Sequence, residues 1–283
     1  MKTATSGASP LPLPKPKDFK SSLKPIWCPG CGDFAVLNAI TKALAHEGIA
    51  REHAALITGI GCSSRIAAYT SVYGFHGVHG RALALASGLK AARPELTVLV
   101  AGGDGDGLSI GGNHFLHACR RNLDLTYIIM DNQVYGMTKG QASPTTAADW
   151  TDSKLTPHGT GITPFQPAAL ALAAGASFVA RGFTGDPNGL AHMLVEAMNH
   201  PGFAFVHVLS PCPTFRPEQM DWKHAVRPFE ADETSDAVEA ARRVTADDGM
   251  STGFIYRDPR PAWRPPRAET PTELDTIEQG FIP

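Results

Sequence analysis

Residues 97–107, Thr-Val-Leu-Val-Ala-Gly-Gly-Asp-Gly-Asp-Gly, set an apolar run against a turn of glycine and aspartate. Residues 125–136, Leu-Thr-Tyr-Ile-Ile-Met-Asp-Asn-Gln-Val-Tyr-Gly, place a second apolar run before a polar turn. VLVA and YIIM are apolar at almost every position, the pattern of strands covered on both faces and therefore of a parallel sheet. Around them, short apolar runs predict strands at 55–60, 177–180 and 203–209, and helical spacing predicts helices at 81–92, 113–121, 167–173 and 189–199. A helix with Asp33 as N-cap would carry Val36, Leu37, Ile40 and Leu44 on one face and close at Gly48. Strands alternating with helices in this way imply a doubly wound α/β fold with a mostly parallel sheet, whose ligands sit beyond the carboxyl ends of the strands.

The chain has 283 residues, enough to bury one large core without covalent staples. Its 25 basic and 27 acidic residues form no long block of one sign, which leaves no footprint for nucleic acid or an anionic membrane. No uncharged run approaches the roughly 18 apolar residues of a membrane span, and MKTATSGASPLPLPKPKDFKSS lacks the apolar centre of a secretory signal, so a cytoplasmic protein is expected. Proline steps make residues 1–24 an extended N-terminal arm, and residues 25–215 hold the α/β domain. Residues 216–283, rich in Pro, Arg, Asp and Glu with one helix at 235–244, read as an irregular C-terminal tail, either wrapped on a partner or loosely attached.

Glycines in GGDGDG (102–107) allow close approach to a phosphate, and a helix opening near Asn113 would offer it free N–H groups. A carboxylate, an amide oxygen and a main-chain carbonyl are the hard donors that Mg²⁺ accepts beside diphosphate oxygens. A lone GDG is usually a solvated turn, but Asn132 stands 28 residues after Asp104 and also follows an apolar strand. A dinucleotide site fits less well, because GGDGDG lacks the GxGxxG order.

Of the five cysteines, Cys28 and Cys31 form the CxxC of CPGCG, Cys62 follows a strand in GIGCSSR, and Cys212 follows another in SPCPTF. Cys119, within a helix, reads as a small buried hydrophobe. Four thiolates on one rim suit structural zinc or an iron–sulfur cubane; zinc ribbons usually bring two CxxC knuckles, and only one is present. A thioredoxin-type pair would leave Cys62 and Cys212 idle.

Taken in order, CPGCGD, GIGCSSR, HGRALALASGLKAA, GDGDG, DNQVYGMT and SPCPTF resemble the beta subunits of the 2-oxoacid:ferredoxin oxidoreductases over roughly residues 25–215. The resemblance implies the thiamine-diphosphate-binding fold, with Asp104, Asn132 and the carbonyl of Val134 holding Mg²⁺ against thiamine diphosphate and Asp106 competing for the first of these roles. It places Gly61, Cys62, Ser63, His79, Gly103, Gly105, Asp106, Tyr135, Gly136, Met137 and Thr138 in the cofactor pocket, and Cys28, Cys31, Cys62 and Cys212 on a 4Fe-4S cluster. The implied reaction is oxidative decarboxylation of a 2-oxoacid to an acyl-coenzyme A, with electrons leaving through the cluster to ferredoxin. Family members acting on 2-oxoglutarate resemble TKGQ, found here at 138–141, so Lys139, with Arg65, is expected to pair with a distal carboxylate. A pyruvate or broad-range enzyme, a non-redox thiamine enzyme with zinc, and a metal-stapled interaction module are the alternatives. The family's activating glutamate comes from an alpha subunit, so a dimer of heterodimers, inactive as single chains, is expected.

Overall fold

The computed structural model describes residues 13–265. Eight strands form one sheet: β1 (Ala54–Thr58), β2 (Tyr73–His76), β3 (Thr97–Gly103), β4 (Leu125–Asp131), β5 (Phe178–Phe183), β6 (Phe203–Leu209), β7 (Arg227–Pro228) and β8 (Ser251–Arg257). Their order is β2-β1-β3-β4-β6-β5-β8-β7, and every pairing is parallel except β5 with β8. In the central register Leu99 faces Thr126 and Asp131 faces Leu209, so β3, β4 and β6 end side by side.

Seven helices accompany the sheet among the described residues: α1 (Asp33–His46), α2 (Ala82–Ala92), α3 (Gly112–Arg121), α4 (Pro167–Ala173), α5 (Pro187–Asn199), α6 (Trp222–Ala225) and α7 (Ala237–Ala246). One face of the sheet packs Leu56, Leu99, Ile128, Met130 and Val206 against α1 and α5. The other packs Val98, Val100, Tyr127, Ile129 and Phe205 against α2, α3, α4 and α7. Alternate residues of one strand thus enter opposite cores, which is why VLVA and YIIM carry no polar position. The four large apolar residues that α1 buries, Val36, Leu37, Ile40 and Leu44, contribute about 1.5–3 kcal/mol each.

The structure departs from the expectations in three places. Asp33 is the first helical residue, with Gly32 at the N-cap. β2 was not predicted, because YGFH is short and exposed throughout as an edge strand. After residue 215 the helix expected at 235–244 is α7, capped by Asp236 and packed beneath the sheet, and the departure from the irregular tail expected is β8, which joins β5. Within the expected N-terminal arm, residues 13–24 are anchored, with Phe19 fully buried and Lys20 bridged to Thr70.

Candidate functional site

The carboxyl ends of four adjacent strands converge. β1 leads to Cys62, β3 to Asp104, β4 to Asn132 and β6 to Cys212. After Asp104 the backbone turns at once into a wide helical turn, 105–110, which breaks at Ser109 before α3 opens at Gly112, beside the Asn113 expected from the sequence. Every residue that the sequence assigns to the cofactor pocket lines one cavity of about 190 Å³, and Ile60 is the only lining residue not foreseen.

Asp104 and Asp106 have different surroundings. Asp106 Oδ1 accepts from the N–H groups of Ile60 (2.9 Å) and Gly80 (2.7 Å) and lies 2.7 Å from His79 Nδ1, so this carboxylate staples two loops. A carboxylate can only accept here, so it favours the tautomer with a proton on His79 Nδ1, in which Nε2 is free to act as an acceptor. Asp104 has the opposite problem. It is buried, and the hydroxyl of Thr145 stands 2.7 Å from its Oδ2 and 2.8 Å from Asp131 Oδ1. One hydroxyl proton cannot satisfy both carboxylates. Burial, and then the charge of Asp131, raise Asp104 to about 7. A cation beside Asp104 would relieve that repulsion, so the residues present fit a divalent metal.

The neighbouring turn is held rigidly. Asn132 Oδ1 accepts from the N–H of Val134 at 3.1 Å, and Gln133 takes a left-handed φ of 55°. The strain is held by three bonds: Gln133 N–H to Asp131 (3.0 Å), and Thr146 Oγ1 (2.6 Å) and Arg216 Nη1 (2.8 Å) to the Gln133 carbonyl.

Cys28, Cys31, Cys62 and Cys212 line a second cavity of about 340 Å³, together with Trp27, Arg65 and Phe215. Trp27 Nε1 donates to the Cys62 carbonyl at 2.7 Å, and Gly32 N–H donates to the Pro211 carbonyl at 3.1 Å. Gly32 is required here, since a Cβ would sit 2.9 Å from the Ser210 Cα. Burial, then the charge of Asp33 and of the other thiols, raise Cys31 and lift Cys62 to about 11. Cys212 is also raised, burial leading. Asp33, pushed by burial to about 6, accepts from Ser210 Oγ at 2.9 Å through Oδ1, while its Oδ2 has no hydrogen-bond partner. Four thiols and a carboxylate crowded this way fit a positive inorganic core that replaces the thiol protons. Among the described residues no three His, Cys, Asp or Glu side chains are gathered closely enough to hold a single ion. Cys119 is buried in α3, away from this set.

Cys62, Asn132, Gly136 and Met137 line both cavities. A Cβ on Gly136 would lie 3.8 Å from both Cys62 Sγ and Cys212 Sγ. Arg65 lines the cysteine cavity, its Nε 3.3 Å from Tyr69 Oη, whereas Lys139 is exposed, lines neither cavity and has φ 77°. The two are therefore not brought into one pocket. Asp131, Thr145, Arg216 and Gln219 were not foreseen. Their roles arise from contacts between distant segments, and only the position of Asp131 at a strand end hinted at one.

Residues 59–208 match the family model of the thiamine pyrophosphate enzyme C-terminal, thiamine-pyrophosphate-binding domain. The chain is 49% identical over 207 residues to 2-oxoglutarate oxidoreductase subunit KorB of Mycobacterium tuberculosis, a match spanning 73% of this chain and 55% of that one. It is 37% identical over 280 residues to the beta subunit of 2-oxoacid:ferredoxin oxidoreductase 2 of Aeropyrum pernix, spanning 94% and 88%. A solved 2-oxoglutarate:ferredoxin oxidoreductase from Magnetococcus marinus, with 2-oxoglutarate, coenzyme A and succinyl-CoA bound, superposes with a TM-score of 0.84 at 44% identity, covering 88% of this chain and 86% of its own.

Proposed function

Because this chain belongs to the beta subunits of the 2-oxoacid:ferredoxin oxidoreductases, we propose that it carries the thiamine diphosphate and the 4Fe-4S cluster of an enzyme that oxidises 2-oxoglutarate to succinyl-coenzyme A and carbon dioxide in the cytoplasm. The observation that carries the proposal is the wall shared by the two cavities, which sets a four-thiol site directly beside the Asp104 and Asn132 turn.

Asp104, the side chain of Asn132 and the carbonyl of Val134 would hold Mg²⁺ against the diphosphate, while Cys28, Cys31, Cys62 and Cys212 would hold the cluster. When bound, thiamine diphosphate supplies a nucleophilic carbon and an electron sink, and the cluster supplies a one-electron exit toward ferredoxin. The chain's own residues position and insulate these groups. Asp106 fixes the His79 ring, which leaves its Nε2 as an acceptor for a cofactor or substrate hydrogen. Tyr135 donates from Oη to the Gly105 carbonyl at 3.2 Å and closes the turn after Asp104. The acidic residues lining the cofactor cavity are Asp104 and Asp106, with no glutamate. The activating glutamate would then come from an alpha subunit, in an assembly expected to be a dimer of heterodimers.

Lys139 and Arg65 stand on opposite sides of the substrate assignment. Arg65 lines the cysteine cavity, and Lys139 is exposed next to Met137 and Thr138, which line the cofactor cavity. The test is the anaerobically co-expressed complex, assayed with coenzyme A, a ferredoxin-type acceptor and a panel of 2-oxoacids. A preference for 2-oxoglutarate over pyruvate supports the reading, and activity of the isolated chain or indifference to thiamine diphosphate contradicts it.

A further inference from the structure

One side chain outside both cavities touches the backbone of a residue from each site. Gln219 lies in the short helical turn Pro217–Asp221 and is 1% exposed. Its Nε2 donates to the carbonyl of Asn132 at 2.7 Å, and its Oε1 accepts from the N–H of Cys212 at 2.9 Å. One buried amide thus joins the loop after β4, which carries the metal-type oxygen ligands, to the loop after β6, which carries the fourth thiol. Arg216 reinforces the same clasp. Its N–H donates to the Cys212 carbonyl at 2.9 Å, its guanidinium donates to the Gln133 carbonyl, and it lies 4.4 Å from the centre of the Trp150 ring.

Resting on the functional reading above, we propose that Gln219 is a positioning residue that couples occupancy of the cofactor site to the geometry of the iron–sulfur site. An amide suits this place because it donates at one end and accepts at the other from a planar frame. Glutamate could accept from Cys212 but not donate to Asn132, and leucine could do neither. Gln219 would pass any settling of Asn132 on a metal through its 2.7 Å and 2.9 Å bonds to the N–H of Cys212. Hydrogen bonding beside cluster sulfur is one of the levers that set a cluster's signal and potential.

The experiment uses the anaerobically purified complex, with iron and sulfide content, cofactor affinity and the electron paramagnetic resonance spectrum of the dithionite-reduced cluster measured with and without Mg²⁺ and thiamine diphosphate. In the native complex, adding the cofactor shifts the spectrum and the midpoint potential. Gln219→Leu keeps iron near the native content but loses the shift, and cofactor affinity falls by about tenfold from one buried unpaired carbonyl. Gln219→Glu keeps the cysteine-side bond, so it retains the cluster even if the leucine variant does not fold, and it too loses the shift. A native complex without iron, or without cofactor binding, overturns the functional reading itself. A native complex that holds both and shows no shift, or a Gln219→Glu complex that shifts as the native one does, overturns the coupling.

Discussion

Arg181 lies at the centre of a buried chain of charges, and removing it gives a sharp test of how the late segments support the site. On β5 and 2% exposed, its Nη1 pairs with Asp247 and donates to the Ser251 carbonyl at 3.0 Å, while its Nε donates to His207 Nδ1 at 3.3 Å. His207 Nε2 in turn lies 2.8 Å from Asp131, the carboxylate that shares the Thr145 hydroxyl with Asp104. Arg181→Met keeps most of the volume but takes the buried cation from Asp247, which is left with the Gly249 N–H at 2.9 Å and the half-exposed Arg227 at 3.7 Å. Breaking one side of a buried pair costs about 3–5 kcal/mol. With an unfolding entropy of roughly 2.1 cal/mol/K per residue, that lowers Tm by about 5–8 °C. Equilibrium denaturation in chelator, where bound cofactor adds no stability, measures the loss. Arg181→Met with Asp247→Asn neutralises both partners and should recover at least half of it. A loss below about 1 kcal/mol, or a double variant no better than the single, would refute the reasoning.

His200 supplies a pH dependence. It is 4% exposed, and its Nε2 lies 2.8 Å from Ser177 Oγ, a hydroxyl that already donates to Asn122, so the ring must donate while neutral. Burial first, then Arg257 and Arg260, push it down to about 4, so the unfolded chain takes the proton first, at its ordinary value near 6.5. Its contribution is full above about pH 6.5 and is lost as pH falls toward 4; denaturation midpoints for the native chain and His200→Gln should therefore converge across that window, and parallel curves would contradict it. Gly136→Val should at least halve the iron bound per chain, because its methyl groups enter the space between Cys62 and Cys212, and unchanged iron content would place the cluster elsewhere. Lys139→Gly should stabilise the chain by about 0.5–1 kcal/mol by relieving a left-handed lysine, whatever happens to substrate choice. An unchanged preference for 2-oxoglutarate over pyruvate in that variant would remove Lys139 from specificity.

The core strands and the Asp104 and Asn132 turns were legible because each is written locally, as an apolar run followed at once by its ligand, whereas the rest of the cavity lining came from the resemblance of the motifs to a family. Asp104 after β3 and Asn132 after β4 need no knowledge of the rest of the chain, and their convergence follows from parallel order. β8 was hidden for the opposite reason. STGFIYR is a weak strand signal among prolines and charges, and it becomes a strand by pairing with β5, some 70 residues earlier. Gln219 and Thr145 could not be read for the same reason, since their hydrogen bonds span 87 and 41 residues. Asp33 sat within a recognised motif but was read as a helix cap, and only the packing of Ser210 and the thiols around it reveals a carboxylate oxygen without a partner.

The central claim is that the four thiols form an electron exit directly beside the thiamine site. The direct measurement is electron paramagnetic resonance of the anaerobic complex, taken before and after 2-oxoglutarate and coenzyme A are added, with thiamine diphosphate present or withheld. The account predicts close to four irons per chain and a reduced-cluster signal that appears with substrate only when thiamine diphosphate is present. An iron-free, zinc-containing chain, or a cluster whose signal ignores substrate and cofactor alike, would contradict it.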